Sequence, residues 1–167
     1  MENTQKIIVV KTHAVSASGS RLFWMFSRTQ LELVLKDLES TPVDSGQQYC
    51  QATTRWQEET LPVVCLEKYF GIIKITGALP TKHLILKGAK KEKDEVKLAN
   101  IAIPVYTDMQ TGPLTVQGRY LNPRFLPANS SDVLGVYELS GRRIVVVPDI
   151  YKIAVNSGML LERQNRP

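Results

Sequence analysis

The apolar residues of this chain occur in short runs interrupted by turn residues, and regular helical periodicity is scarce. This pattern is typical of a domain built from many β-strands, either a barrel or a sandwich. Clusters of Gly, Pro, Ser, Thr and Asn separate the runs, as expected for turns between strands. The candidate strands cover residues 6–12, 21–26, 61–65, 70–76, 83–86, 98–106, 114–116, 134–139 and 143–147. The 167 residues suffice for one ordinary domain.

Residues 29–38 fit two structures. Thr29 and Glu32 have the spacing of a helix capping box, and the apolar residues that follow recur at helical spacing. Leu31, Leu33 and Leu35 also alternate as in a strand, so the pattern leaves helix and strand both open. Two further short helical turns are predicted, at residues 66–69 and 150–155.

No arrangement of residues indicates catalysis. His13 lies near Ser16, Ser18 and Ser20 in the sequence, but a Ser/His pair also needs an orienting acid and oxyanion donors, which nothing marks. A nucleophile elbow, a Gly-rich phosphate loop and a closely spaced carboxylate pair in an apolar setting are all missing from the sequence. Asp132 and Asp149 are interpreted as turn and helix-cap residues. We therefore expect a protein that is not an enzyme and uses no cofactor.

Cysteine and histidine are sparse. Cys50 and Cys65 do not make a disulfide framework, and with only two histidines no metal-ligand spacing occurs, so we expect reduced thiols and no metal site. No apolar run approaches the roughly 20 residues of a membrane span. The apolar run at residues 7–10 is too short for a secretory signal, and these features together predict a cytoplasmic protein.

The formal net charge of +5 raises the alternative of a nucleic-acid-binding barrel. Clustering is poor, because the densest stretch, residues 87–97, interleaves five lysines with three acidic residues and is interpreted as a solvated linker. An RNA- or single-stranded-DNA-binding module would use aromatic side chains for stacking and arginines for phosphates. The candidates for those roles are Trp56, Tyr106, Tyr120 and Arg142 or Arg143.

Two stretches, residues 52–70 and 135–153, share a weak internal similarity. The second runs from Gly135 through Gly141 and two arginines to the apolar run Ile144–Val147, and then to Asp149. The first has Leu-Pro-Val-Val at 61–64, followed by Leu66. In these motifs the chain resembles the chemotaxis coupling (CheW-like) domain family, and weaker similarity extends over residues 6–155. One additional residue precedes Asp149 relative to the usual pattern.

The chain departs from that family at the turn of the first stretch. The family's Asn-Leu-Arg-Gly turn corresponds to Arg55, Trp56, Gln57 and Glu58, and the family's aspartate after the Val-Val run corresponds to Cys65. A family glutamate that pairs with the turn arginine would fall near Glu32, and Arg55 is a candidate for its partner.

The resemblance implies an all-β fold of two packed five-stranded small β-barrels with a few short helices. It divides the chain into a single domain, residues 6–155, with subdomains at about 6–86 and 98–155, a linker at 87–97 and a polar tail at 156–167. It also implies an adaptor that binds a histidine kinase regulatory domain and a chemoreceptor without catalysis. Partner contacts are assigned to Glu32, Arg55, Trp56, Gln57 and Glu58. Trp56 could be an exposed interface anchor or a lid over a small barrel core, and both remain open.

Overall fold

The computed structural model describes residues 5–16, 18–72, 79–106, 108–113, 118–164 and 166. Most of the chain is in strands, which form two six-stranded sheets. The all-β prediction is therefore confirmed. None of the helices in these ranges combines the length and apolarity needed to cross a membrane.

Sheet A joins strands from the two ends of the chain. In sequence its members are β1 (Lys6–Val15), β2 (Arg21–Ser27), β9 (Met109–Pro113), β10 (Arg119–Tyr120), β11 (Val133–Leu139) and β12 (Arg143–Pro148). Their spatial order is β10-β11-β12-β2-β1-β9. β12 pairs with β2 in parallel, so this ladder ties the C-terminal part of the chain to its N-terminal part.

Sheet B is built from the middle of the chain. Its members are β3 (Leu31–Leu35), β4 (Thr41–Pro42), β5 (Cys50–Trp56), β6 (Glu59–Val64), β7 (Lys82–Glu92) and β8 (Glu95–Val105). Their spatial order is β3-β7-β8-β6-β5-β4. Without the two-residue strands β4 and β10, each sheet has five longer strands, the number that the resemblance implies.

The described residues also form two α-helices, α1 (Leu66–Tyr69) and α2 (Ile150–Gln164). α1 coincides with the helical turn predicted at 66–69. α2 is longer than the turn predicted at 150–155, and it occupies most of the tail predicted at 156–167. Ile150, Ile153, Ala154 and Ser157 are buried at helical spacing, which explains why the helix continues.

One large core is shared by both sheets and the helices. Sheet A contributes one face of β1, β2, β11 and β12, and sheet B contributes one face of β6, β7 and β8. A second, smaller core lies on the other face of sheet B and contains Leu61, Ile85 and Ala102. Since consecutive residues of a strand point to opposite faces, Leu84 and Leu86 enter the large core while Ile85 enters the small one.

Several predicted boundaries differ from the structure. Residues 87–97 are not a linker, because their backbone continues the β7–β8 hairpin, which pairs without interruption from Lys82–Val105 to Glu92–Glu95. The subdomain division at 86 and 98 does not follow the sheets either, since β1 and β2 belong to sheet A with the C-terminal strands.

The ambiguous segment 29–38 is mainly strand. A capping box does occur there, but it is formed by Ser27 and Gln30 around a 3-10 turn at Arg28–Gln30, not by Thr29 and Glu32. The strands β5 and β9 were not predicted, and neither were the two-residue strands β4 and β10. Candidate strand 114–116 and positions 73–76 of candidate strand 70–76 lie outside the described residues.

Candidate partner-binding surface

The turn at residues 55–58, where the sequence departs from the family motif, closes the β5–β6 hairpin. Trp56 pairs with Glu59, so Gln57 and Glu58 are the two central residues of the turn. Both have positive φ, 48° and 66°, as in the type I′ turns that favour a right-twisted hairpin. The side chains of Gln57 and Glu58 are exposed. Glu58, which the resemblance aligns with the family's glycine, thus has a left-handed backbone conformation in this chain.

Trp56 packs against the small core of Leu61, Ile85 and Ala102 and is half-buried. The predicted role as a lid over a small core therefore agrees with its packing. The rest of the indole remains accessible beside the turn, so a contact role stays a prediction. Arg55 alternates to the opposite face of β5 and is exposed.

Glu32 lies elsewhere on sheet B. It is the extra residue of a β-bulge, since the β3–β7 register shifts between Leu31 and Leu33. Its carboxylate forms an ion pair with Lys87, with 3.2 Å between Oε1 and Nζ. Three strands separate β3 from β5 in the sheet order. The ion pair that the structure describes for Glu32 is thus with Lys87 and not with Arg55.

Exposed apolar residues on β8 were missed at the sequence level. Val96 and Leu98 are 61% and 59% exposed, on the same strand face as the small core residue Ala102. Asn100, between Leu98 and Ala102 on that face, donates from Nδ2 to Oε2 of Glu59 at 3.4 Å, which places the start of β6 beside β8. The alternation of Val96 and Leu98 was visible in the sequence, but the surrounding lysines favoured the linker interpretation.

The His/Ser group does not form a catalytic arrangement in the described structure. The hydroxyls of Ser16, Ser18 and Ser20 bond to one another, with 2.8 Å between Ser16 and Ser18. The His13 ring instead lies beside Tyr106, with 6.2 Å between ring centroids. The contacts described for His13 and for the three serines therefore do not support a Ser/His pair.

The two aspartates have structural roles. Asp149 caps α2, since its Oδ1 accepts from the Lys152 N–H at 3.2 Å, as predicted. Asp132 lies in a turn, with its N–H donating to the Asn129 carbonyl, also as predicted. Its carboxylate is buried and accepts from the Tyr69 hydroxyl and from Asn156 Nδ2, so it also joins α1 to α2.

Cys50 and Cys65 are free, buried thiols. Burial raises the pKa of each to about 11, because the thiolate would lose its hydration. They are therefore protonated and poorly nucleophilic at neutral pH. Across the described ranges, no group of three or more His, Cys, Asp or Glu side chains is arranged to hold a metal ion.

The residues proposed for nucleic-acid binding lie on different elements. Trp56 covers the small core of sheet B, whereas Tyr120 is exposed on β10 at the edge of sheet A. Tyr106 is half-buried, and burial raises its pKa. Arg142 and Arg143 lie at the β11–β12 turn. The nucleic-acid alternative stays a prediction.

Comparison with known proteins identifies the fold. No protein-family model matches the chain, and no curated protein matches it in sequence. Among solved structures, the chain is similar to the scaffolding protein TtCheW from Thermoanaerobacter tengcongensis, with a TM-score of 0.60 and 14% identity. The alignment covers 90% of this chain and 88% of that chain. The chain thus has the CheW-like fold, as its sequence motifs predicted.

Proposed function

We propose that this chain is a cytoplasmic, non-catalytic adaptor that couples chemoreceptors to a histidine kinase through protein contacts. The observation that carries the proposal is the CheW-like fold, shared with a scaffolding protein over 90% of the chain. The sequence motifs at 61–66 and 135–149 support the same family independently of the fold.

An adaptor of this kind acts by holding two partner proteins close to each other. Binding two proteins at once makes the second encounter nearly intramolecular and raises its effective concentration without any chemistry. The residues assigned to one such contact are Glu32 and the turn Arg55–Glu58. The turn is suited to it, because Gln57 and Glu58 are exposed at the end of a hairpin, and the adjacent Trp56 packs on the small core.

The accessible apolar residues beside the turn support a protein contact. Val96 and Leu98 continue the face on which Trp56 packs, so a partner could cover aliphatic side chains there and reach the polar turn at the rim. Protein interfaces commonly combine a few aromatic or aliphatic anchors with a polar rim.

The experiment that tests the proposal is a calorimetric titration of the full chain with a histidine kinase regulatory domain and, separately, with a chemoreceptor signalling fragment from the same cell. We expect both to bind. Arg55→Glu should weaken kinase-domain binding on the order of tenfold, since reversing a charge at a contact opposes the partner's field. Arg124→Glu, which reverses an exposed arginine in the 3-10 turn Pro123–Phe125, is the matched control.

Absence of measurable binding to either protein would contradict the adaptor function. Salt-sensitive binding of labelled oligonucleotides in place of protein binding would favour the nucleic-acid alternative.

A further inference from the structure

The face of sheet A that points away from the large core carries an open groove of about 620 Å³. Its apolar lining comes from several strands: Ile7 and Val9 of β1, Phe23 and Met25 of β2, and Val145 of β12. The volume falls in the range that accommodates ligands or inserted side chains in proteins.

This apolar lining is a consequence of strand alternation. On β2, Leu22, Trp24 and Phe26 are buried in the large core, which sends Phe23 and Met25 to the other face. On β12, Ile144 and Val146 enter the core, which sends Val145 to the groove. Phe23 and Met25 are only half-buried, so the groove exposes apolar surface that the described part of the chain leaves partly uncovered.

One end of the groove is basic. Arg21 and Arg143 face each other on the neighbouring strands β2 and β12, on the same face as Phe23 and Val145. The Arg21 N–H donates to the carbonyl of Arg142 at 2.9 Å, which brings a third arginine to this end. All three arginines are exposed.

These arginines lack acidic partners among the described residues. The four ion pairs of that part of the chain involve other basic residues: Lys87, Lys90, Lys97 and Arg119. Arg143 is held by the Ser140 carbonyl, which accepts from its Nε at 2.9 Å, and the carbonyl carries no formal charge. Like charges placed opposite each other on adjacent strands are unfavourable. A bound anionic group would relieve this repulsion.

We propose that the groove is a second docking surface, which binds a partner segment that places apolar side chains on Phe23 and Met25, above the buried Val145, and carboxylates at Arg21 and Arg143. An extended acidic and apolar peptide fits both the shape and the charge of this site. The proposal rests on the adaptor function, because it supplies the second contact that an adaptor needs.

The groove and the Trp56 turn lie on different sheets, with the large core between the inner faces of those sheets. Two partners can therefore bind to the two surfaces without competing for the same residues. This arrangement suits simultaneous binding better than two overlapping patches on one sheet.

The test uses the full chain and a fluorescein-labelled synthetic peptide in which leucine alternates with glutamate. Anisotropy should show binding that weakens as salt is raised, and a peptide with lysine in place of glutamate should bind at least about tenfold more weakly. Amide and methyl NMR shifts should change around Phe23, Met25 and Val145. The double variant Arg21→Glu with Arg143→Glu should lose on the order of tenfold in affinity, and Arg124→Glu should not.

Equal binding of the glutamate and lysine peptides, or shifts confined to the turn at residues 55–58, would overturn the proposal. Saturable displacement of the peptide by a fatty acid at lower concentration would instead identify a small-molecule site and overturn the assignment to a peptide. If the kinase domain binds but the peptide does not bind at the groove, only the proposal of the second docking surface is contradicted. If the peptide binds the groove and neither the kinase domain nor the receptor fragment binds the chain, only the adaptor function fails.

Discussion

The indole Nε1 of Trp24 donates a hydrogen bond to Oε1 of Glu67 at 3.4 Å, linking β2 to α1. Glu67 is 3% exposed, and its Oε2 accepts from the Cys65 thiol at 3.6 Å. Burial raises the pKa of Glu67, because the carboxylate loses hydration, while the bonds from Trp24, Cys65 and the His13 backbone oppose part of that rise. Folding thus favours the protonated form of this side chain.

Ionisation of the buried Glu67 carboxyl should make the free energy of unfolding depend on pH. Its folded-state pKa lies above the unfolded value, so the associated stabilisation is complete below the unfolded pKa and is lost as pH rises through the folded pKa. The stability of Glu67→Gln relative to the unsubstituted protein should therefore increase as pH rises through the folded-state pKa of Glu67. Urea unfolding at several pH values measures this difference. Glu162→Gln, at an exposed site on α2, is the control, and a difference that does not change with pH would contradict the prediction.

The hydroxyl of Tyr69 should contribute measurably to stability. It donates to the buried carboxylate of Asp132 and accepts from Asn156 Nδ2 at 3.1 Å. Tyr69→Phe removes a donor from a buried charge and should lower the free energy of unfolding by roughly 1–3 kcal/mol. Tyr120→Phe, at a residue that is 63% exposed, should change it by less than about 0.5 kcal/mol. Equal effects of the two substitutions in chemical denaturation would show that the buried network contributes little.

Contact between Gly88 and α2 should make that glycine intolerant of a side chain. A Cβ at Gly88 would lie 2.4 Å from the backbone nitrogen of Tyr151, so the helix would have to shift. Gly88→Ala should destabilise the protein by roughly 1–3 kcal/mol, as expected for overpacking against backbone. Gly158→Ala, within α2 and with open space around its Cβ, should instead stabilise by roughly 0.5–1 kcal/mol. Thermal unfolding of both variants measures the contrast, and an unchanged melting temperature for Gly88→Ala would rule out the close approach.

The all-β architecture could be predicted because the alternation of apolar residues and the turn residues indicate each strand from its own short stretch of sequence. Ile144–Val147 is a continuous apolar run, and β12 is indeed covered on both faces at Val145 and Val146. Sheet membership could not be predicted, since the parallel pairing of β12 with β2 joins residues more than a hundred positions apart. That pairing depends on how the whole chain packs.

Because residues 87–97 are rich in charge, the sequence predicted a linker where the structure has the β7–β8 hairpin. Lys97 of β8 forms an ion pair across the hairpin with Glu92 of β7, and Lys90 forms one with Glu92 along β7, so charges that indicated a solvated linker belong to a paired hairpin. The ion-pair partner of Glu32 was missed for a similar reason, and the partner-binding role of the predicted residues stays a prediction. The turn at 55–58 was located from its motif, but the partner of Glu32 depended on the neighbouring strand, where Lys87 lies.

The β5–β6 turn allows stability and partner binding to be separated. Gln57 and Glu58 both adopt positive φ, which costs a residue with a side chain roughly 1–2 kcal/mol and costs glycine little. The double substitution Gln57→Asn with Glu58→Gly should raise the free energy of unfolding by roughly 1 kcal/mol, since Asn-Gly is the preferred type I′ pair. If these side chains contact the kinase domain, the same variant should bind it several-fold more weakly by calorimetry although it is more stable. Lys93→Gly, at another hairpin position with positive φ, should also be stabilised but should keep its affinity. Full affinity in the stabilised Asn-Gly variant would remove Gln57 and Glu58 from the partner-binding surface and leave them a purely conformational role.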